Sequence, residues 1–315
     1  MGNKRPGERL SSLDHFRGLA LFLMIVVNSL SDYDVPSWLK HAPWNGYRFP
    51  DLVAPMFLFA MGVAYRISWD RRVSRFGLKR TVLHFVRRYI LLFLFGFIGT
   101  LIAERSFDWG ILQMLGATGL FALPLMFVPP FCSLILSLSA LALYQIALDH
   151  LGLWRFVAGF DMGGPFATLS WCFVLSFSAS LVGVEVKKEH GNPWKFLLTG
   201  VVTALAGFLS SFLVPLNKHL VSCSYILFST GLATILFSLT HFLVEVRGFR
   251  IGALDALGKN SLSIFILSSV ISTFVGEALP HSVPVIYPVL ITLCNLFGCI
   301  ALAEAFARRG IYIKL

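Results

Sequence analysis

The sequence predicts an all-α, polytopic membrane protein with about ten transmembrane helices and both termini in the cytoplasm. Of its 315 residues, 57% are hydrophobic and only 13% are charged, and the mean hydropathy is +0.77. A soluble domain carries about 25% charged residues, so this chain lacks the polar surface that a soluble fold needs. The composition therefore excludes a soluble globular protein and a disordered one, and it favours an integral membrane protein.

Ten apolar stretches approach the length that crosses a bilayer, which is about 20 mostly apolar residues. Apolar side chains occupy all faces of these stretches, as expected for helices in lipid, and the short alternating blocks of transmembrane strands are missing. The predicted spans are 15–31, 52–69, 82–103, 111–128, 131–148, 166–186, 196–216, 220–244, 261–279 and 285–306. An even number of spans places both termini on one side.

The basic residues are divided unevenly between the two sets of loops. With the N-terminus inside, 21 of the 26 Lys and Arg residues lie on the cytoplasmic side, and the other side holds Lys40, Arg48, Arg105, Arg155 and Lys218. This asymmetry satisfies the positive-inside rule and places the His41 loop outside. Membrane topology thus accounts for the net charge of +10, and nucleic acid is not expected as a partner.

The chain is predicted to form a single transmembrane domain over residues 1–315. The first apolar run differs from a signal peptide, because Asp14, His15 and Arg17 interrupt its start and no small-residue cleavage site follows. The five cysteines all lie inside predicted spans without the spacing of metal ligands. No metal is therefore expected.

Polar residues mark the first span at two depths. Arg17 lies at its cytoplasmic mouth, and Asn28 follows about 16 Å further along the helix at 1.5 Å per residue. Polar groups at membrane depth are costly and often functional. The alternative role of Arg17 is to anchor the orientation of the span at the membrane surface. The alternative role of Asn28 is a hydrogen bond between helices.

The first external loop and its exit, residues 39–55, are dense in groups that do chemistry. His41 titrates near neutrality and suits a general base, with the Asp51 carboxylate nearby to orient it. Asp51 is also placed to cap the second span. Trp44 suits stacking on a sugar or the aromatic belt at the membrane interface, and the adjacent Asn45 is the candidate polar contact.

Eight Arg and Lys residues fall within residues 66–88, interrupted by one acid, Asp70. Orientation and attraction to anionic lipid account for part of this cluster. Arginine forks also match phosphate oxygens, so the cluster suits a polyphosphate ligand. Arg87 and Arg88 run directly into an apolar stretch and are the favoured site residues.

Three smaller features lie at the mouths of later spans. Lys259 and Asn260 precede the ninth span, where Asn260 suits either a helix cap or a ligand contact. Gln113, at the external mouth of the fourth span, suits either a substrate hydrogen bond or packing. Asp161 opens an external loop with the glycines of a binding loop, and the pattern does not identify its ligand.

Together these segments resemble the heparan-alpha-glucosaminide N-acetyltransferase family of membrane acyltransferases and its prokaryotic members. The resemblance is dense over residues 9–65, through segments 13–20, 27–28, 41–46 and 51–62. It continues more loosely over segments 111–113, 161–169, 215–218, 224–225, 258–262 and 308–315. The chain departs from the family at 161–165, Asp-Met-Gly-Gly-Pro, where relatives often carry Asp-Pro-Glu-Gly.

The resemblance implies an enzyme that moves an acetyl group from cytosolic acetyl-CoA to an amino sugar across the membrane. It implies that His41 is the catalytic histidine, Asn28 its close partner and Asp51 the loop acid. His41 either takes a proton from the acceptor amine in a ternary complex or carries the acetyl group itself. The short chain points to a prokaryotic plasma membrane, and a terminal amino sugar or an envelope sugar is a better expected acceptor than heparan.

Two groups of residues are expected to hold the substrates, one on each side of the membrane. The expected acetyl-CoA contacts are Arg17, Arg87, Arg88, Lys259 and Asn260. The expected acceptor contacts are Trp44, Asn45, Gln113 and Asp161. Membrane lipid is the other expected partner, and the sequence leaves a monomer and a homodimer open.

Two other functions stay open. One is a polytopic transporter or exporter of a glycan or small metabolite. Transporters are often built from two related halves with helices broken near the membrane midplane, and the sequence contains no such half-repeat. The other is a sugar O-acyltransferase of a different membrane family, which would share the acyl-CoA donor and differ in the acceptor atom.

Overall fold

A computed structural model describes residues 10–31, 33–104, 108–185, 192–278 and 283–312. Within these ranges the protein is helical and has no strand, which confirms the predicted all-α class. The α-helices are α1 (Ser11–Leu30), α2 (Val53–Phe76), α3 (Leu78–Glu104), α4 (Ile111–Phe121), α5 (Pro130–His150), α6 (Trp154–Val157), α7 (Thr168–Glu185), α8 (Pro193–Ser210), α9 (Cys223–His241), α10 (Gly252–Lys259), α11 (Ser261–Ala278) and α12 (Ile286–Arg308).

Each of the ten predicted spans overlaps an apolar helix, but the helices differ in length. Seven segments of the described chain are long and apolar enough to cross a membrane: Ser11–Leu30, Phe49–Phe76, Leu78–Ile102, Pro130–His150, Pro193–Ser210, Cys223–Val246 and Ile286–Arg308. The α10–α11 pair is apolar enough for an eighth segment, and its bend of 91° is that of a broken span or a re-entrant loop. Helices α4 and α7 are shorter apolar helices. The structure therefore has the helices of an integral membrane protein, and a count of ten depends on these two short ones.

Local sequence signals set several helix ends. Pro130 and Pro193 occupy first-turn positions, where a missing N–H costs nothing. The Asn192 side chain caps α8 by accepting from the Trp194 N–H at 3.0 Å. Gly77, with φ of +78°, ends α2 and turns the chain tightly into α3.

Loops that the predicted topology puts on one side of the membrane lie together in the structure. At one end, the Gly46 N–H donates to the Leu216 carbonyl at 2.8 Å. At the other end, the Ser12 N–H donates to Glu245 Oε1 at 2.9 Å, and Ser180 Oγ donates to the Pro130 carbonyl at 2.9 Å. The chain thus alternates between two ends of the bundle. Which end faces the cytoplasm stays a prediction.

Part of the basic charge used for that orientation lies outside the described residues. These are Lys4, Arg5, Arg9, Arg105, Lys187, Lys188 and Lys314.

An aromatic cluster joins three of the central helices. The rings of Phe16 on α1, Phe59 on α2 and Phe237 on α9 pack in pairs with centroids 5.5–5.8 Å apart. All three side chains are fully buried. The helix that carries Arg17 and Asn28 is therefore held against the helix that begins after Asp51.

Glycines allow the closest helix contacts. A Cβ added at Gly18 of α1 would overlap the Leu254 carbonyl of α10, and one added at Gly258 of α10 would overlap the Asp14 carbonyl of α1. In α8 and α9, Gly207 and Gly231 each face the backbone of the other helix. Small residues at crossings are the usual means by which helices associate in membranes.

Because the α1–α10 crossing tolerates no Cβ, Gly258→Ala should push the two helices apart. We expect the substitution to destabilise the protein by about 1–3 kcal/mol, the usual cost of overpacking a rigid contact. Thermal unfolding of the purified protein in detergent measures it. Gly252→Ala is the matched control, since it lies on the same helix and its added Cβ meets nothing within 4 Å. Equal melting temperatures for the two variants would contradict the close crossing.

Candidate active site

His41 and Asp51 form a hydrogen-bonded pair at one end of the bundle. His41 Nδ1 lies 2.7 Å from Asp51 Oδ1. The Asp51 side chain is fully buried, whereas that of His41 is 36% exposed. A carboxylate accepts the proton of Nδ1, which leaves Nε2 as the basic nitrogen. Among the described residues nothing hydrogen-bonds Nε2, so a basic nitrogen is available to a substrate.

Asp51 both orients His41 and caps the helical turn that follows. The sequence left these two roles open as alternatives, and the structure shows both. Its second oxygen, Oδ2, accepts from the Arg48 N–H at 2.9 Å and from the Ala42 N–H at 3.3 Å. The first of these bonds caps the 3-10 turn Phe49–Leu52 that leads into α2. The buried Tyr225 hydroxyl of α9 donates to the Asp51 carbonyl at 2.8 Å and ties the turn to the bundle.

The His41 loop is fastened to the loop between α8 and α9. Asn217 Nδ2 donates to Asn45 Oδ1 at 3.0 Å, and the Gly46 N–H donates to the Leu216 carbonyl at 2.8 Å. Gly46 has φ of +115°, a conformation that glycine adopts without steric cost. Trp44 stacks on His219 with ring centroids 5.4 Å apart. Two loops far apart in sequence therefore form one rigid surface beside His41.

Lys218 adds a positive charge to this surface. Burial lowers the pKa of its amine below the usual lysine value, and the negative charges of Asp161 and Asp51 oppose that shift. Asp161 is exposed and begins a turn in which Met162, Gly163 and Gly164 all have positive φ. The Trp171 indole N–H holds that turn by donating to the Met162 carbonyl at 3.1 Å. The structure therefore puts Asp161 in the electrostatic range of Lys218.

A cleft of about 330 Å³ opens beside the same loops. Trp44 and Asn45, two of the predicted acceptor contacts, line it together with Asp149, Trp154 and Asn217. Gln113 and Asp161, the other two predicted acceptor contacts, are not among its lining residues.

Gln113 serves packing, the alternative that its position left open. Its side chain is fully buried, and its amide N–H groups donate to Thr100 Oγ1 and to the Asp108 carbonyl, both at 3.1 Å. These bonds join α4 to α3 and to the connection between them. No N–H of Gln113 is left for a substrate.

Asn28 is not brought into a hydrogen bond with His41 in the described part of the chain. It is exposed in the C-terminal third of α1 and borders a cavity of about 20 Å³ with Ser272 of α11 and Asn295 of α12. The hydrogen bond that orients the imidazole comes from Asp51 in this structure.

The predicted donor contacts fall into two groups at the opposite end of the bundle. Arg17 of α1 and Arg88 of α3 both lie within electrostatic range of the Tyr89 hydroxyl, although the two arginines are far apart in sequence. Arg88 is half-buried and Arg87 is exposed. Arg17 Nη1 lies 3.9 Å from Asp14 Oδ1, and the Arg88 guanidinium lies over the Tyr89 ring at 5.8 Å. Guanidinium groups are suited to binding phosphate.

Lys259 and Asn260 belong to the α10–α11 corner. The Lys259 ammonium pairs with the Asp255 carboxylate one turn earlier on α10. Asn260 is buried where α10 ends and α11 begins. The structure therefore gives Lys259 an intrahelical partner and makes Asn260 part of the bend.

Lys218, Tyr225 and Asp149 are site residues that the sequence patterns did not indicate. Lys218 and Tyr225 lie in segments that share the family resemblance, and this was the available signal. Asp149 ends an apolar helix and matched no motif. Across the described ranges, no three His, Cys, Asp or Glu side chains are grouped as metal ligands.

A helical membrane bundle with an aspartate-held histidine at one end and half-buried arginines at the other has the features of a membrane acyltransferase. Comparison with known proteins agrees. The sequence profile described as "Heparan-alpha-glucosaminide N-acetyltransferase, catalytic" matches residues 9–190, more than half of the chain. The protein belongs to this family.

Two curated relatives share part of the sequence. The heparan-alpha-glucosaminide N-acetyltransferase of Mus musculus is 36% identical over 125 residues, which cover 36% of this chain and 19% of the mouse protein. The human protein of the same name is 38% identical over 120 residues, which cover 35% of this chain and 18% of the human protein. The matched region thus spans about a fifth of each relative.

The lowered pKa of Lys218 predicts its chemical reactivity. Acetic anhydride modifies the neutral amine, so the labelling of Lys218 should reach its midpoint at a lower pH than that of an ordinary lysine. Asp161→Asn removes a charge that favours the ammonium form, and it should move the midpoint lower still. Mass spectrometry of the labelled peptide across a pH series measures both.

The matched control is Asp34→Asn, since Asp34 is an exposed outer-loop carboxylate that lies near Lys40. A Lys218 midpoint at the ordinary lysine value, or an upward shift in Asp161→Asn, would contradict the electrostatic assignment.

Proposed function

We propose that this protein is a membrane N-acetyltransferase that moves an acetyl group from acetyl-CoA to an amino sugar, with His41 as the general base. The observation that carries the proposal is the pair of His41 Nδ1 and Asp51 Oδ1 at 2.7 Å, with Nε2 left without a partner among the described residues. Family membership supplies the reaction class.

The chemistry follows from that geometry. Acetyl-CoA supplies the acetyl group as a thioester. His41 Nε2 accepts the proton that the acceptor amine loses as the new C–N bond forms and the thioester C–S bond breaks. The imidazolium, stabilised by the buried Asp51 carboxylate, then returns this proton to the thiolate sulfur of the departing CoA. The products are the N-acetyl sugar and CoA thiol, and His41 is neutral again.

The exposure of His41 favours direct proton transfer over an acetylated histidine. An acetyl-imidazole is a reactive species, and active sites protect such species by excluding water. The His41 side chain is 36% exposed, so an acetyl group on Nε2 would meet water. A general base has no such requirement, and we therefore favour the ternary complex.

The donor would approach from the end of the bundle opposite His41. Arg17 and Arg88 near Tyr89 are the residues that would hold its phosphates. With the positive-inside orientation, this end faces the cytoplasm, the chain crosses the membrane ten times, and both termini lie inside. In this arrangement the single domain takes the donor from the cytoplasm and acetylates an acceptor on the other side, in a prokaryotic plasma membrane.

Loss of the base should slow acetyl transfer while leaving donor binding intact. We expect His41→Ala to lower kcat by about 10²–10⁴-fold, the usual contribution of a general base. Asp51→Asn, which keeps the shape of the side chain and removes its charge, should lower kcat by a smaller factor. Transfer of labelled acetyl from acetyl-CoA to glucosamine measures both, and the KM for acetyl-CoA should stay constant.

Lys40→Ala is the control for this loop, because Lys40 precedes His41 and lies near the exposed Asp34. Full activity in His41→Ala would refute its role as the base. Acetylated His41 after incubation with acetyl-CoA alone would refute the direct route, and labelled hydroxyl esters in place of amides would identify an O-acyltransferase.

Two adjacent arginines provide a matched test of the donor site. Arg88→Ala should weaken CoA binding by about 10-fold or more, since a hydrogen bond to a charged group contributes about 1.5–3 kcal/mol. Arg87→Ala should change it little, because Arg87 is exposed. Calorimetric titration with CoA gives both dissociation constants. Equal effects at the two positions would mean that the half-buried geometry of Arg88 does not matter for the donor.

A further inference from the structure

The cleft lined by Trp44 and Asn45 of the His41 loop has the size and the walls of a small-ligand site. Its volume of about 330 Å³ lies at the lower end of the roughly 300–1,000 Å³ of ligand pockets. The indole rings of Trp44 and Trp154 line it, and both side chains are more than 40% exposed. Exposed indoles offer apolar faces to the C–H side of a sugar ring.

Asp149 is the one charged side chain among the residues that line this cleft, all of which lie in the described chain. It is exposed at the end of α5. Gln145, one turn earlier, donates from Nε2 to Asp149 Oδ1 at 3.0 Å and to Oδ2 at 3.1 Å. Gln145 is itself held, because its Oε1 accepts from the Cys223 N–H at 3.0 Å. A fixed amide therefore holds the carboxylate at the cleft.

Amide groups supply the neutral polar wall. Asn217 Nδ2 donates to Asn45 Oδ1 at 3.0 Å, so the orientation of both amides is set. Asn45 Nδ2 donates to none of the described residues and is available to a sugar hydroxyl. Asn45 belongs to the His41 loop, and Asn217 precedes Lys218. The His41 loop and the loop that it is fastened to thus each contribute an amide to the cleft.

We infer that this cleft is the acceptor subsite, and that Asp149 selects a cationic amino sugar of monosaccharide size over an anionic one. The inference rests on the proposed function and goes beyond it by naming the acceptor's charge and size and the residue that reads the charge. Arg155 lies over the Trp154 ring at 5.6 Å but is not among the lining residues, so the one charge that the cleft lining presents is negative. A negative charge attracts an ammonium group and repels phosphate, sulfate or carboxylate substituents. The ammonium releases a proton to water before the free amine attacks.

Kinetics with two acceptors test the selection by charge. The wild type should prefer glucosamine to glucosamine 6-phosphate by at least about 10-fold in kcat/KM, the effect of about 1.4 kcal/mol of charge discrimination. Asp149→Asn should raise the KM for glucosamine, leave kcat unchanged and remove most of this preference. Asp149→Glu keeps the charge and should retain the preference. Asp34→Asn, which removes an exposed outer-loop carboxylate away from the cleft, should behave as the wild type.

Calorimetric binding of glucosamine to the full chain without acetyl-CoA separates this inference from the proposed function. Weaker glucosamine binding in Asp149→Asn, with binding kept in Asp149→Glu, supports the subsite. It does so even if no acetyl transfer to any amine is detected, because the absence of transfer would refute only the proposed function. Acetyl transfer that needs His41 but is unaffected by Asp149→Asn overturns the subsite and leaves the function standing. Equal loss of glucose and glucosamine binding in Asp149→Asn would overturn the selection of positive charge.

Discussion

The buried carboxylate of Asp51 is the group on which the His41 end of the molecule depends. A carboxylate in a dry environment is strongly unfavourable unless each oxygen is hydrogen-bonded. One oxygen accepts from the Arg48 and Ala42 N–H groups and so shapes the loop and the start of α2. The other is left for His41. The same demand for hydrogen bonds that caps the helix therefore fixes the imidazole, and structural and chemical roles are carried by one side chain.

That arrangement is reinforced by helices that are distant in sequence. Tyr225 of α9 donates to the Asp51 carbonyl, and Asn217 anchors the His41 loop through Asn45. Glycines let the helices approach closely enough for these bonds, as where Gly231 of α9 meets the Ala204 backbone of α8. In lipid, where apolar side chains gain little by leaving their surroundings, such close contacts and polar bonds provide much of the association.

The two ends of the bundle differ in chemistry in a way that suits a transfer reaction. One end holds the histidine pair, a lowered-pKa lysine and a cleft with one carboxylate; the other brings Arg17 and Arg88 toward Tyr89. The acid in the cleft favours a positively charged ligand, and the arginines at the far end favour a negatively charged one. In the proposed function this separation would keep the cationic acceptor and the phosphates of the donor on their own sides and bring the acetyl thioester to His41.

The sequence by itself determined the helical class, the order of the apolar helices and the chemistry of the His41 loop, because hydropathy, basic residues and the His41–Asp51 spacing are local features. Only the tertiary structure decided how the other polar groups are placed: Asn28 without a hydrogen bond to His41, Gln113 in packing, Arg88 more buried than Arg87, and Lys218 and Asp149 beside the loop. Spans that are apolar on every face carry no periodic signal for which face meets which neighbour. Those choices depend on glycine contacts and interhelical hydrogen bonds between residues that lie far apart along the chain.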